Sequence, residues 1–204
     1  MLHLVTIEPD TLGLLKHLML RPYLNKFFLV GGTALALQMG HRKSIDLDLF
    51  TLEDFDQDLL LKQLEDEFTV DVRVQSPSIF ITQINNVKVD FVRHRYPLQY
   101  PMHFIEGVRM PDIKDIAPMK LDAVTKRGSK KDFYDIYYLL QQMTLPELLD
   151  LYYNKFKLST MFHIIKSLTY FEDAELDNQP FVFDKKITWT KVKKSIQKAI
   201  SDLY

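Results

Sequence analysis

The 204-residue chain contains no cysteine. That excludes disulfides, thiolate zinc sites and a cysteine nucleophile, and it suits a reducing compartment. No stretch approaches the ~18 uninterrupted apolar residues of a membrane helix. The first twenty residues, MLHLVTIEPDTLGLLKHLML, lack a basic leader and are interrupted by Glu8 and Asp10. They read as neither a signal peptide nor a span, so a cytoplasmic, non-membrane protein is expected. An excess of positive charge is also missing. With 26 Lys and Arg against 27 Asp and Glu the formal net charge is −1, which disfavours nucleic-acid binding through overall charge alone. Internal repeats and low-complexity tracts are absent. So are a GK[ST] triplet and a third glycine in the Gly-Gly segment, which rules out a P-loop and a dinucleotide fingerprint.

What is present is an ordinary globular composition, 47% hydrophobic and 26% charged, with enough apolar surface for one core and a modest appendage. Charge is uneven. Carboxylates concentrate in residues 41–75, and Lys in 114–131 and 185–198, the last reading as a solvated helix face. An amphipathic helix is expected over 10–20, stopping near Pro22. FFLV (27–30) reads as a buried strand running into Gly31-Gly32, followed by a helix over 33–39 that ends at Gly40. IDLDLF (45–50) alternates as a strand. A helix over 55–67 has Asp54 or Asp56 to cap it. TVDVRVQ, SIFITQIN and VKVDFV follow as strands, with Asn85-Asn86 turning the last two. A Pro- and His-containing loop is expected over 94–111, then helices at 112–127, 130–143, 145–156, 159–171 and 188–203, around a loop at 172–187. The fold class is α+β: a mixed sheet with flanking helices to about residue 108, then a helical part over 109–204.

Three acidic residues carry the chemistry. Asp46 and Asp48, two apart on a strand, point to one face, and adjacent like charges on a sheet are destabilising unless neutralised. A divalent cation with oxygen ligands is one answer; exposure of both to water is the other. Asp90 sits mid-strand in VKVDFV, where Asp is disfavoured; a neighbouring strand would set it beside the pair, and an edge position would set it in water. Three converging carboxylates could hold two magnesium ions for phosphoryl or nucleotidyl transfer. Gly31-Gly32-Thr33, between a strand and a helix start, offers free backbone N–H groups to phosphate, with Thr33 a cap or a phosphate contact. Arg42 is a phosphate contact or a carboxylate partner. His41 is a loop histidine or part of a nucleotide pocket. Phe133, Tyr134, Tyr137 and Tyr138 form an aromatic helix that reads as core rather than as a stacking platform.

GGTALALQMGHRKSIDLDLF resembles the signature of the nucleotidyltransferase superfamily, Gly-Gly/Ser followed by Asp-x-Asp, as in DNA polymerase beta. It looks most like the AbiEii/AbiGii-type toxins of bacterial toxin–antitoxin and abortive-infection systems. His41, Arg42, Ser44, Asp46, Asp48 and Phe50 match that family's stretch after the turn. Lys120, Arg127, Lys131, Asp132 and Asp135, in KLDAVTKRGSKKDFYDIYYLL, match a later block. The resemblance covers residues 20–143 and implies transfer of a nucleoside monophosphate from an NTP to an acceptor hydroxyl, with Mg2+ or Mn2+ at Asp46, Asp48 and Asp90. It places Gly31, Gly32, Thr33, Arg42, Ser44 and Lys120 at the nucleotide, and Asp132 at Lys120, at Arg127 or at the acceptor; a helix-start cap for Asp132 and a surface position for Lys120 are the other readings. Asp135, on the same helix face, reads as structural. RNA, such as a tRNA 3′ end, is the acceptor the family implies, and an antitoxin the partner. The alternatives are a small-molecule or protein nucleotidyltransferase, and a degenerate fold that only binds an NTP or a partner.

Overall fold

A computed structural model describes residues 1–157 and 161–204. The chain divides into two compact units, Met1–Gly40 with Ser44–Asp112, and His41–Lys43 with Ile113–Tyr204.

In the first unit, helix α1 (Pro9–Met19) opens on proline, whose missing N–H costs nothing at a helix start, and buries Leu14, Leu15 and Leu18. Strand β1 (Phe28–Val30) runs directly into helix α2 (Gly31–Met39). Both glycines therefore lie within the helix, not in a separate turn before it. Gly31 has φ +68°, and a Cβ there would stand 2.0 Å from Asp48 Oδ2; only glycine tolerates both. Gly40 ends α2 in the left-handed conformation, as the sequence implies.

Strand β2 (Leu47–Thr51) begins one residue after Asp46, so Asp46 stands at its start, not within it. Helix α3 (Gln57–Glu65) is capped by Asp56, whose carboxylate accepts from the Asp58 and Leu59 N–H groups. Strands β3 (Val70–Ser76), β4 (Ile79–Ile84) and β5 (Val87–Arg93) complete a five-stranded sheet of order β1-β2-β5-β4-β3. Asn85 and Asn86, both at positive φ, make the β4–β5 turn; asparagine tolerates that region better than other non-glycine residues. Among the strand pairs of this sheet, only β2–β5 is parallel. Leu47 and Leu49 of β2 and Val89 and Phe91 of β5 are buried on one face of the sheet. Phe27 and Phe80 pack against Phe91 with ring centroids 5.4 and 6.1 Å away. Period-two burial thus fixes register, since a slip by one residue would exchange these apolar groups for the acids.

The segment expected as a loop over 94–111 contains a hairpin, β6 (His103–Ile105) and β7 (Val108–Met110). It turns at Glu106 and Gly107, both at positive φ. Val108 and Met110 are buried, and between them Arg109 donates to the Phe27, Met19 and Leu24 carbonyls at 3.0, 2.9 and 3.1 Å. These long-range anchors stabilise two strands that are too short to announce themselves in the sequence.

The second unit is helical: α4 (Ile113–Lys126), α5 (Lys130–Leu139), α6 (Leu145–Phe156), α7 (Phe162–Thr169), α8 (Glu172–Glu175) and α9 (Trp189–Ser201). The short α8 lies in the stretch expected as loop. Of the helix expected over 159–171, positions 159 and 160 lie outside the described residues. A capping box of Thr144 and Glu147 starts α6, satisfying two orphan N–H groups. In α9, Val192, Ile196 and Ile200 are buried while Lys191, Lys194 and Lys198 are exposed, so the basic run is a solvated face. Phe133 and Tyr134 of α5 are fully buried, 5.7 and 6.0 Å from the Trp189 ring. No helix among the described residues is long and apolar enough to cross a membrane.

The close approach of Gly31 to Asp48 is open to test. Gly31→Ala is expected to lower unfolding stability by about 2–3 kcal/mol, from the left-handed backbone and the clash together. In an Asp48→Ala background, where the obstructing oxygens are gone, the cost falls towards ~1–2 kcal/mol. A double-mutant cycle by urea denaturation measures both.

Candidate functional site

Parallel pairing of β2 with β5 sets Asp48 directly opposite Asp90. Both point away from the buried Leu47, Leu49, Val89 and Phe91 face, so two carboxylates stand side by side on the open face of the sheet. Gly31, at the start of α2, lies against Asp48. Asp90 is largely buried, and its Oδ1 has no hydrogen-bond partner. Its Oδ2 accepts from Lys88 Nζ at 2.7 Å. Burial alone would lower the pKa of the Lys88 ammonium. The Asp90 hydrogen bond and the charges of Asp90, Asp46 and Asp48 override it, and the pKa is raised. All three acids therefore act on one cation.

Thr33 fixes the approach to β2. Its hydroxyl lies 2.9 Å from Ser44 Oγ and also donates to the Asp46 carbonyl. Thr33, expected at a helix cap or a phosphate, is thus buried and committed to holding the Ser44–Asp46 segment against α2. The acids fall short of the expected closed triad in one respect. Among the described residues, no three His, Asp or Glu side chains are gathered tightly enough to hold a metal ion between them. Lys88 occupies one oxygen of Asp90, and Asp46 stands ahead of the strand. An orphaned carboxylate oxygen beside a second carboxylate nevertheless fits a hard, oxygen-seeking divalent cation.

The later block gathers around a second pair of acids, Asp132 and Asp135 on α5. Arg42 donates to Asp135 twice, from Nε at 2.6 Å and from Nη2 at 2.9 Å. His41 Nε2 lies 2.8 Å from the same carboxylate, and Lys120 Nζ lies 2.8 Å from Asp135 and 3.2 Å from Asp132. Arg127 donates to both oxygens of Asp132 at 2.7 and 3.0 Å, and Ser129 adds a hydroxyl at 3.1 Å. Apart from Arg127, the charged side chains are nearly sealed from solvent.

Burial opposes the charged form of Asp135, but Arg42, Lys120 and His41 outweigh it and hold its carboxyl well below the usual range. Asp132 is likewise lowered, by Lys120 and Arg127 against burial. For His41, burial dominates over Asp135, and Arg42 and Lys120 act in the same sense, so its pKa is lowered. Arg42, 3% exposed, makes the carboxylate pair rather than an exposed phosphate contact. Lys120 is clamped between two acids. Lys88 is the residue sequence reasoning did not single out; its spacing of two from Asp90 was the available signal.

Asp135 answers to three cationic or hydrogen-bonding partners, so its loss strands them. Asp135→Ala is expected to destabilise the second unit by about 3–5 kcal/mol at neutral pH. The carboxyl's folded pKa is depressed below 3.8. Its contribution is therefore fully present above that value and fades as pH falls through the folded pKa. Urea denaturation of wild type and variant from pH 7 to pH 3 should show a gap that is constant to about pH 4 and narrower below it.

A sequence model of the nucleotidyl transferase AbiEii toxin family, of type IV toxin–antitoxin systems, matches residues 13–202. An uncharacterized protein of Aquifex aeolicus is 40% identical over 156 residues, 74% of this chain and 76% of that protein. A candidate nucleotidyltransferase of H. pylori shares the fold with TM-score 0.60 at 18% identity, over 96% of this chain and 97% of its own. The nucleotidyltransferase toxin MenT4 of Mycobacterium tuberculosis does so with TM-score 0.53 at 18% identity, over 93% and 82%. ANT(2″)-Ia, solved with adenylyl-2″-tobramycin, gives TM-score 0.51 at 16% identity, over 71% and 96%. With that family model spanning nearly the whole chain, the protein is a nucleotidyltransferase and belongs to the AbiEii toxin family.

Proposed function

We propose that the protein transfers a nucleoside monophosphate from an NTP to an acceptor hydroxyl on RNA, at the open carboxylate face of β2 and β5. The observation that carries this reading is the register that sets Asp48 opposite Asp90, beside the glycine start of α2. In the reaction, the acceptor oxygen bonds to the α-phosphorus as the bond to the α,β-bridging oxygen breaks, and pyrophosphate leaves with that electron pair. The proton of the acceptor passes to Asp90 Oδ1, the carboxylate oxygen with no other partner. Gly31 and Gly32 let the backbone N–H groups at the α2 N-terminus face the departing phosphates. Asp46, Asp48 and Asp90 are the residues that would hold Mg2+ or Mn2+; when bound, such an ion neutralises charge on phosphate oxygens. Thr33 and Ser44 keep Asp46 in place.

Within the second unit, Asp132 is assigned to orienting Lys120. The hydrogen bond between them supports that pairing. Asp135 and Arg42 hold this cluster together. The partners that fit are an NTP, RNA such as a tRNA 3′ end, and the cognate antitoxin that the family name carries.

Labelled NTPs, magnesium and total RNA provide the test. Wild type should label RNA, and Asp48→Ala should lose at least ~100-fold of that activity, in the range of removing a group that stabilises transition-state charge. Labelling of a small molecule instead, the outcome of which adenylyl-2″-tobramycin on ANT(2″)-Ia is the example, would move the acceptor class. Equal labelling by wild type and variant would refute the site.

A further inference from the structure

A cavity of about 400 Å³ opens beside the carboxylates, bordered by Thr11, Ile45, Asp46, Arg73, Val87 and Lys88. Its place follows from strand order. Gly31 leaves β1 at one edge of the sheet, Asp48 and Asp90 stand on the next two strands, and the cavity continues across β5 and β4 to Arg73 on β3. One side chain connects it to the acids: Lys88 borders the cavity, and its ammonium lies 2.7 Å from Asp90 Oδ2.

Displacement at phosphorus requires the attacking and leaving oxygens to lie roughly in line. If pyrophosphate departs toward Gly31, the acceptor must come from the opposite side, over β5 and β4. That is where the cavity lies. Its size suits one nucleoside. We infer that this cavity is the acceptor subsite and takes the 3′-terminal nucleoside of an RNA, with its base stacked on Arg73.

This inference rests on the nucleotidyltransferase reading above and adds the location and the reading group. Arg73 sits where β3 bulges, between Val72, paired with Thr82, and Val74, paired with Ile81. Bulges re-aim a side chain out of the regular ladder. One terminal nitrogen of its guanidinium, Nη2, is held at 2.7 Å from Gln83 Oε1 and 2.7 Å from Asp71 Oδ2. The hydrogen bond to Gln83 and the ion pair with Asp71 hold the guanidinium, and such a plane stacks on a nucleobase. The Arg73 side chain is 56% exposed, so a base can reach it. Ile45, an exposed apolar side chain, also borders the cavity. Arg73 and Lys88 are the cations that border the cavity, and each is paired with an acid, Asp71 and Asp90.

The test measures transfer from labelled NTP to total RNA at varied RNA and varied NTP, for wild type, Arg73→Ala and Arg73→Tyr. Arg73→Ala should raise the apparent KM for RNA about tenfold, as loss of a base stack does, with the KM for NTP unchanged. Arg73→Tyr, which has a plane but no charge, should restore most of it; a lost surface charge alone would not be rescued in this way. In a second readout without NTP, an RNA ending in 2-aminopurine should lose fluorescence on wild type and Arg73→Tyr, and keep it on Arg73→Ala.

An unchanged RNA KM in Arg73→Ala overturns the inference. A raised NTP KM in its place does so too, because the cavity would then hold the nucleotide. Wild-type transfer to a small-molecule or protein hydroxyl but not to RNA also overturns it. Absence of wild-type transfer to every acceptor would instead sink the reading on which it rests.

Discussion

Two negative charges side by side on a sheet set the terms for the first unit. Asp48 and Asp90 face each other because β2 and β5 pair in parallel, and that register is enforced from beneath by Leu47, Leu49, Val89 and Phe91. The apolar face leaves the acids no other side to occupy. Neighbouring features answer the resulting field. Gly31 gives up a side chain to make room for Asp48, and Lys88 lies against Asp90 with its pKa raised by all three acids. Thr33 ties down the segment carrying Asp46. Stability favours separating such acids or removing one. Two such acids side by side are what the proposed cation and phosphate site requires.

The second unit handles charge in the opposite way. Asp132 and Asp135 are sealed and over-neutralised. Arg42, Lys120 and Arg127 supply three positive charges against two negative ones when His41 is neutral, which its lowered pKa favours. A buried ion network of this kind adds little net stability over an apolar core, but breaking it is costly because a stranded charge remains. Its value is geometric. Lys120 cannot wander, because two carboxylates hold its ammonium, and Arg42 fastens the short His41–Lys43 segment to the helical unit that otherwise begins at Ile113.

Much of this was legible in the sequence where the signal is local. Alternation in VKVDFV put Asp90 on the face opposite Val89 and Phe91, and Asp56, Gly40 and Asn85-Asn86 marked a cap, a helix end and a turn by their intrinsic preferences. The misses came from long-range effects. The β6–β7 hairpin depends on Arg109 reaching carbonyls more than eighty positions away, which no window of sequence contains. Arg42 gave two readings until Asp135, 93 positions on, was seen to receive it. Thr33 offered a hydroxyl to phosphate on paper, but Ser44 and Asp46 take it. The bulge that presents Arg73 is a matter of pairing register, and register is a property of two strands together.

The central claim is that the Asp48–Asp90 face is the cation and phosphate site. Crystals grown with Mn2+ and a non-hydrolysable NTP analogue test it most directly, through anomalous scattering from manganese. The account predicts a manganese peak in contact with the carboxylates of Asp48 and Asp90, with the analogue's phosphates running toward Gly31. A manganese peak coordinated elsewhere, with those two carboxylates bare, would contradict it.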